Sequence, residues 1–424
     1  MRLLIKGGRV IDPANNLDII ADILAQDSKI SRIAKNIRAE ADKVIDAKGM
    51  IVMPGIIDMH VHLREPGRED KETVATATKA ALKGGITTVL AMPNTYPAID
   101  SPENIESLKR IIKKSACANV LIAAAITKGR LGKELTDIQA CKQHGASAIT
   151  DDGASVDSGV LFAGALKKAK AGKLLVICHS EDKKISNNGV VNQGLISTRL
   201  GLRGIPRASE YKRVQRDIDL AKKTGARVHI AHLSCKESVD IIAAAKKKGI
   251  QVTAETAPHY FALTEDALLD YDTNMKMNPP LRSQQDLEAI KQGLKNGIID
   301  VIASDHAPHT ENEKDIEFDR AEFGVIGLET ELAAGITELI DAGLLSWLEL
   351  AGKMCLNPAR ILEINKGTLS AGADADITVI SPDKGWQVEK SGFVSKSRNS
   401  PFLGRKLKGV VEYTIYEGRI AYKA

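Results

Sequence analysis

Eight short apolar runs, each separated from the next by polar or helix-periodic sequence, constrain this chain more than any other feature. They are GIIDMHVH from Gly55, GITTVLAMPN from Gly85, NVLIAAAIT from Asn119, ASAITDD from Ala146, LLVICHS from Leu174, ARVHIAHLS from Ala226, QVTAETAPH from Gln251 and DVIASDH from Asp300. Amphipathic stretches such as DKETVATATKAALKGG, SPENIESLKRIIKKS and KESVDIIAAAKKKG lie between them. Near-continuous apolar strands alternating with helices predict a parallel sheet covered on its faces. Eight such units close a (β/α)8 TIM-type barrel of roughly 250 residues or more. An open doubly wound sheet would carry a glycine-rich phosphate turn after its first strand, and none is present. Residues 1–53 and 366–424 differ in texture, with short strands broken by Gly and Asp turns. Neither flank is long enough for a core of its own. The expectation is an α/β chain: a barrel over 54–365 and a small discontinuous β-sandwich domain built from both termini.

Composition narrows the function. The 424 residues are 43% hydrophobic and 27% charged, with 59 basic and 54 acidic side chains and a net charge of +5. That balance is ordinary for a globular protein and too even for nucleic acid to be the main partner. The lysine clusters at 246–248 and 222–223 sit at predicted helix ends, where they complement the helix dipole. Five scattered cysteines without paired spacing argue for a reducing compartment. No run is long enough to cross a bilayer, and the N-terminus lacks the pattern of a cleaved leader. The expectation is a cytoplasmic protein with no membrane partner.

In a barrel of this kind, chemistry is carried at the carboxyl ends of the strands. His60 and His62 end the first run, Asp151 and Asp152 the fourth, His179 the fifth, His232 the sixth and Asp305 the eighth, followed by His306 and His309. Residues i and i+2 of a strand share a face about 7 Å apart, so His60 and His62 can hold one ion together. Imidazole with carboxylate suits zinc and similar divalent ions. A lone His-x-His pair is more often satisfied inside a core; ligand-type residues at five strand ends favour a metal centre. Strand period does not choose between Asp151 and Asp152, because the strand is ending there. His144 is expected at the opposite face, His229 to face away from the site, and His259 and His306 are left open. Arg64, two residues beyond His62, has a planar fork suited to a carboxylate. The polar segment 310–324 reads either as a lid or as a solvated loop.

The motifs DMHVHLREPG (58–67), AMPNT (91–95), ITDDG (149–153), CHSED (178–182), HIAHLS (229–234), KMNPPLR (276–282) and SDHAPH (304–309) together resemble the amidohydrolase superfamily and, within it, the class I dihydroorotases. DMHVH alone marks only the superfamily; HLREPG with NPPLR and DHAPH is far more specific. The resemblance covers nearly the whole chain. It implies two Zn2+ ions per subunit, the first on His60, His62 and Asp305, the second on His179 and His232. Asp152 would bridge them, because no lysine lies near AITDDG to be carboxylated. It implies Asp305 as the catalytic proton shuttle. It assigns Arg64, Asn94 and His309 to the substrate carboxylate, Asn278 to the ring amide edge, and the backbone of Phe323 and Gly324 to further contacts. The implied reaction is reversible closure of N-carbamoyl-L-aspartate to (S)-dihydroorotate in pyrimidine biosynthesis. A homodimer, and a complex with aspartate transcarbamoylase, are the implied assemblies.

Three other readings compete. An allantoinase, hydantoinase or dihydropyrimidinase would share the metals but not the carboxylate grip. A non-catalytic partner of aspartate transcarbamoylase would lack some ligands, and here the set is full. A deaminase on the same barrel would use a glutamate near the fifth strand, for which Glu181 is available, but it fits NPPLR poorly.

Overall fold

A computed structural model describes residues 1–424 of the chain. The eight apolar runs each supply one strand of a parallel sheet: Ile56–Val61, Ile86–Ala91, Asn119–Ala124, Ala146–Ile149, Leu175–Cys178, Val228–Ile230, Val252–Thr256 and Val301–Ile302. They hydrogen-bond in sequence order. The last strand returns to the first through a parallel bridge between Val61 and His306, with the His62 amide donating to the His306 carbonyl at 2.9 Å. The barrel is thereby closed. These strands are short and apolar because both faces are covered, by helices outside and by packed side chains inside. Ile57, Met59, Leu90, Ala123, Ala148, Ile177, Ala231, Val301 and Ala303 form a cluster separate from the large core shared with the helices.

Local signals set the helix limits. Ser101 caps Pro102–Ser115, Ser158 caps Gly159–Ala171 and Ser283 caps Gln284–Lys295, each side chain accepting an orphan amide of the first turn. Lys113 and Lys114, and Lys246 and Lys247, lie in last turns, where they face the negative end of the helix dipole.

The two flanks meet in one mixed sheet. Its strands run in the order Arg419–Lys423, Lys406–Tyr416, Ile377–Gln387, Ile51–Pro54, Arg2–Asp12, Leu17–Gln26 and Lys29–Ala34, with Lys43–Asp46 also paired to Arg2–Asp12. Ile51–Pro54 is the joint, parallel to the N-terminal strand and antiparallel to Ile377–Gln387. A second core of Leu3, Ile5, Val10, Ile23, Val52, Ile377, Val379 and Ile415 holds this sheet together. Asp27 and Ser28 take left-handed φ of 49° and 67° and turn the chain between Leu17–Gln26 and Lys29–Ala34. Ile377–Gln387 is one strand with an irregularity between Ser381 and Gly385.

Candidate metal centre and substrate cavity

The strand ends converge. His60 Nε2 lies 3.3 Å from Asp152 Oδ1 and 3.6 Å from Asp305 Oδ1. His62 Nε2 lies 3.4 Å from Asp152 Oδ2 and 3.3 Å from Asp305 Oδ1. His179 Nδ1 is 2.8 Å from His232 Nε2 and 3.5 Å from Asp152 Oδ1, and His232 Nε2 is 3.6 Å from that same oxygen. All six residues are buried. His60, Asp152 and His232 form one group with ligand atoms within 4.8 Å of one another; His60, His62 and Asp305 form another.

These residues fit a metal on two grounds. His60 Nε2 and Asp152 Oδ1 are fully buried and make no hydrogen bond, a costly arrangement unless something else satisfies them. The donor set, four imidazoles and two carboxylates, suits divalent zinc-like ions. Burial opposes charge on His60, but the carboxylates of Asp152, Asp305 and Glu255 outweigh it and raise its pKa well above that of free imidazole. Burial likewise opposes ionisation of Asp152, and the surrounding imidazoles overcome it, holding the carboxyl well below its usual range.

The structure separates the two adjacent aspartates. Asp151 spends its carboxylate on the amides of Ile126 and Thr127 at 2.8 and 3.0 Å and on the Thr127 hydroxyl at 2.5 Å. Asp152 faces the histidines. His229 does not face away as the strand count predicts. It is buried with Nε2 3.0 Å from Glu255 Oε2, and Glu255 Oε1 receives His60 Nδ1 at 2.6 Å. The count fails because the strand ends at Ile230 and His232 takes a φ of 36°. His229 therefore lies beneath the site, holding Glu255 against His60. His306 is structural: its Nε2 meets Glu72 and its Nδ1 accepts the Gly327 amide. His144 bonds the Ala140 carbonyl at a helix end. His259 is buried with Nε2 unpartnered, and burial lowers its pKa to about 4.

Above the ligand cluster opens a cavity of about 330 Å³. Every metal-site and substrate-site residue that the resemblance implies lines it except His60, which is buried. Arg64 enters from a left-handed backbone, φ 61°, and its Nε donates to the Pro308 carbonyl at 3.1 Å. Asp305 and His232 also take positive φ, 48° and 36°. Such conformations cost about 1–3 kcal/mol each and cluster where side chains must be aimed. Asn94 Oδ1 accepts from His62 Nδ1 at 2.7 Å, which leaves its amide NH2 free to donate. Asn278 donates to Glu181 at 3.1 Å, and His179 Nε2 lies 3.4 Å from the same oxygen. Burial opposes ionisation of Glu181, but hydrogen bonds from His179, Ser186 and Asn278 prevail and bring its pKa to about 2.

The segment 310–324 is anchored over one wall. Lys276 Nζ donates to the carbonyls of Phe318 and Asp319 at 2.8 and 3.0 Å, and Lys314 Nζ to those of Glu322 and Gly324 at 2.9 and 3.0 Å. Both lysines are buried. Gly324 has a φ of 132°, and a Cβ there would come within 2.8 Å of Ala307 Cβ and 3.1 Å of His309 Nε2. Sequence reasoning missed Glu255, Lys71 and Arg130. Glu255 carried a signal, a lone acid inside an apolar strand. Arg130 and Lys71 lie in loops and carried none; both guanidinium and ammonium line the cavity.

A family model described as dihydro-orotase-like matches residues 49–238. The chain is 53% identical to a dihydroorotase of Elusimicrobium minutum over 99% of its own length and 97% of the relative's. It is 51% identical to one of Pelotomaculum thermopropionicum, covering 99% and 98%. Among solved structures, an L-hydantoinase (dihydropyrimidinase) from Arthrobacter aurescens superposes with a TM-score of 0.90 at 26% identity, covering 99% of this chain and 95% of that one. A D-hydantoinase (dihydropyrimidinase) from Thermus sp. shares the fold, with a TM-score of 0.85 at 24% identity over 100% and 96%. The hydantoinases thus share the barrel, while identity to the dihydroorotases is about twice as high over the full length, and on that ground the chain belongs to the dihydroorotase family.

Proposed function

We propose that the protein interconverts N-carbamoyl-L-aspartate and (S)-dihydroorotate, using a binuclear zinc centre. The observation that carries this reading is one cavity holding both a buried ligand set with orphaned donor atoms and, on its wall, the Arg64–His309 pair suited to a carboxylate. In this reading His60, His62 and Asp305 hold one ion, His179 and His232 the other, and Asp152 lies between them.

When bound, such ions make a water acidic enough to attack near neutral pH and draw electron density from the amide carbonyl. The residues of the chain do the rest. Glu255 fixes the orientation and tautomer of His60, and Asn94 those of His62, so that each presents Nε2 to the centre. Arg64 takes the ring carboxylate with its guanidinium, its pKa lowered by burial to about 10 but still cationic at neutral pH. His309 and the free amide of Asn94 donate to the same group. Asn278 and the backbone of Phe323 and Gly324 face the ring amide edge. Asp305 Oδ1, between His60 and His62, accepts the proton of the attacking water and delivers it to the ring nitrogen as the C–N bond breaks. In the closing direction it removes that proton from the ureido nitrogen.

Residues 1–53 and 366–424 are read as one domain beside the barrel of 54–365. From its sparse, unpaired cysteines the protein is read as cytoplasmic; by the family resemblance it is a homodimer, able to associate with aspartate transcarbamoylase. No helix is long and apolar enough to cross a membrane. The test of the substrate is a comparison of kcat/KM for dihydroorotate, allantoin and hydantoin. Dihydroorotate is expected to be preferred; clear preference for either of the others would replace this reading with the hydantoinase one.

A further inference from the structure

His309 stands between the Lys71 ammonium and the Phe323 carbonyl, and these two short contacts favour one position for its single hydrogen. Its Nδ1 is 3.1 Å from Lys71 Nζ and its Nε2 is 2.9 Å from the Phe323 carbonyl oxygen. An ammonium can only donate and a carbonyl can only accept. The two short contacts are satisfied together by one neutral tautomer, with a lone pair on Nδ1 and hydrogen on Nε2. The opposite tautomer would rely on Glu313 Oε2 at 3.5 Å and Arg64 Nη2 at 3.3 Å. It would also set an N–H against an ammonium and a lone pair against a carbonyl.

Lys71 is held for this task. It is buried, and its Nζ is 2.8 Å from Glu313 Oε1, which also receives Arg68 Nη2 at 2.8 Å. Thr310 donates to the other Glu313 oxygen from its amide and hydroxyl, both at 3.0 Å. The charged groups facing His309 are therefore Arg64, Lys71 and Lys314 on the cationic side and Glu313 on the anionic side, with Arg68 behind Glu313. Burial, with Arg64, Lys71 and Lys314, holds the His309 pKa far below that of free imidazole.

We propose that Lys71 is a positioning residue that locks His309 as the neutral Nε2–H tautomer, so that a hydrogen shared between the Phe323 carbonyl and the substrate carboxylate, rather than a lone pair, lies at Nε2. This rests on the reading of His309 as a carboxylate contact and adds to it the group that fixes its protonation. It has a consequence in pH. A neutral, locked imidazole gives carboxylate binding that does not follow a histidine titration. Without the ammonium, Glu313 favours Nδ1–H and His309 becomes free to protonate. Below its new pKa the imidazolium still donates from Nε2; above it, the lone pair faces the carboxylate.

The experiment measures KM for dihydroorotate from pH 6 to 9 in the zinc-loaded protein, as the ratio of variant to wild type, so that ionisations common to both cancel. For Lys71→Met the ratio is expected to climb through the histidine range to about tenfold or more at the alkaline end, about one hydrogen bond to a charged group. Lys71→Arg, a donor-only cation of similar reach, is expected to keep the ratio flat. A second readout needs no variant of Lys71: in ¹⁵N-histidine-labelled protein, His309 (assigned by loss of its signal in His309→Gln) is expected to show an unprotonated Nδ1 and a protonated Nε2 at neutral pH. A protonated Nδ1 in the wild type, or a ratio for Lys71→Met that is flat with pH while His309→Ala raises KM, would overturn the role of Lys71 and leave the carboxylate contact standing. If His309→Ala and Arg64→Met both leave KM unchanged, the carboxylate reading itself falls and this inference with it.

Discussion

His60 Nε2 and Asp152 Oδ1 face each other across 3.3 Å, both fully buried and neither with a hydrogen-bond partner. Of the ten buried side-chain atoms without a partner, these two lie within 3.3 Å of each other and mark a place for a ligand that both can hold. The same point is reached by His62, His179, His232 and Asp305 from other strand ends. Distances of 2.8 to 3.6 Å among these donors are those of groups sharing a coordination volume.

Asp305 lies 3.3 Å from His62 Nε2 and 3.6 Å from His60 Nε2, at the edge of the cavity. Asp305→Ala is expected to reduce kcat by roughly 10²–10⁴, the usual contribution of a positioned acid–base group, with the circular dichroism unchanged. Activity within a few-fold of wild type would remove Asp305 as the shuttle.

Arg64 reaches the cavity with one nitrogen beside His309. Arg64→Met keeps the stem and deletes the fork. It is expected to raise KM for both dihydroorotate and carbamoyl aspartate by about ten- to a hundredfold, given about 1.5–3 kcal/mol for hydrogen bonds to charged groups. Metal content, read by elemental analysis, should stay at the wild-type level. An unchanged KM would refute the grip.

Glu255 is fully buried between His60 and His229, at 2.6 and 3.0 Å. Its carboxylate is held well below the usual range: burial opposes the charge, and His60 and His229 more than restore it. Glu255→Gln offers one acceptor and one donor where two acceptors are needed. Zinc affinity, measured by competition with a chelator, is expected to fall about ten- to a hundredfold. Unaltered affinity would mean that His60 needs no support.

His259 shapes the acid limit of stability. Its folded pKa is depressed by burial to about 4, below the 6.5 of a free imidazole. Between those values the unfolded chain binds a proton that the native chain does not, so stability must fall as pH drops from about 6.5 to about 4. One pKa unit is about 1.4 kcal/mol, so the loss attributable to this residue is about 3 kcal/mol. Urea unfolding of metal-free protein should show that loss in the wild type, and His259→Gln should be less acid-sensitive by a similar amount. Parallel pH profiles for the two proteins would contradict the assignment.

Much of this was legible in the sequence, for identifiable reasons. Strands buried on both faces must be apolar throughout, so the eight runs stood out, and ligand-type residues at their ends could be lined up without knowing the contacts. His60 and His62 gave themselves away by their spacing. Asp152 could not be told from Asp151 by pattern; the distinction depends on a neighbouring loop, whose Ile126 and Thr127 amides occupy Asp151. His229 was misdirected because a two-residue period was carried past the end of its strand. Lys71 and Arg130 reach the cavity from loops, where position in sequence says nothing about direction.

Zinc titration of chelator-stripped protein, followed in parallel by calorimetry and by dihydroorotate turnover, tests the central claim most directly. Two ions per chain are expected, with activity returning as they bind, and with uptake reduced in Asp152→Asn and His60→Ala. Absence of zinc uptake, or full turnover in the stripped protein, would contradict it.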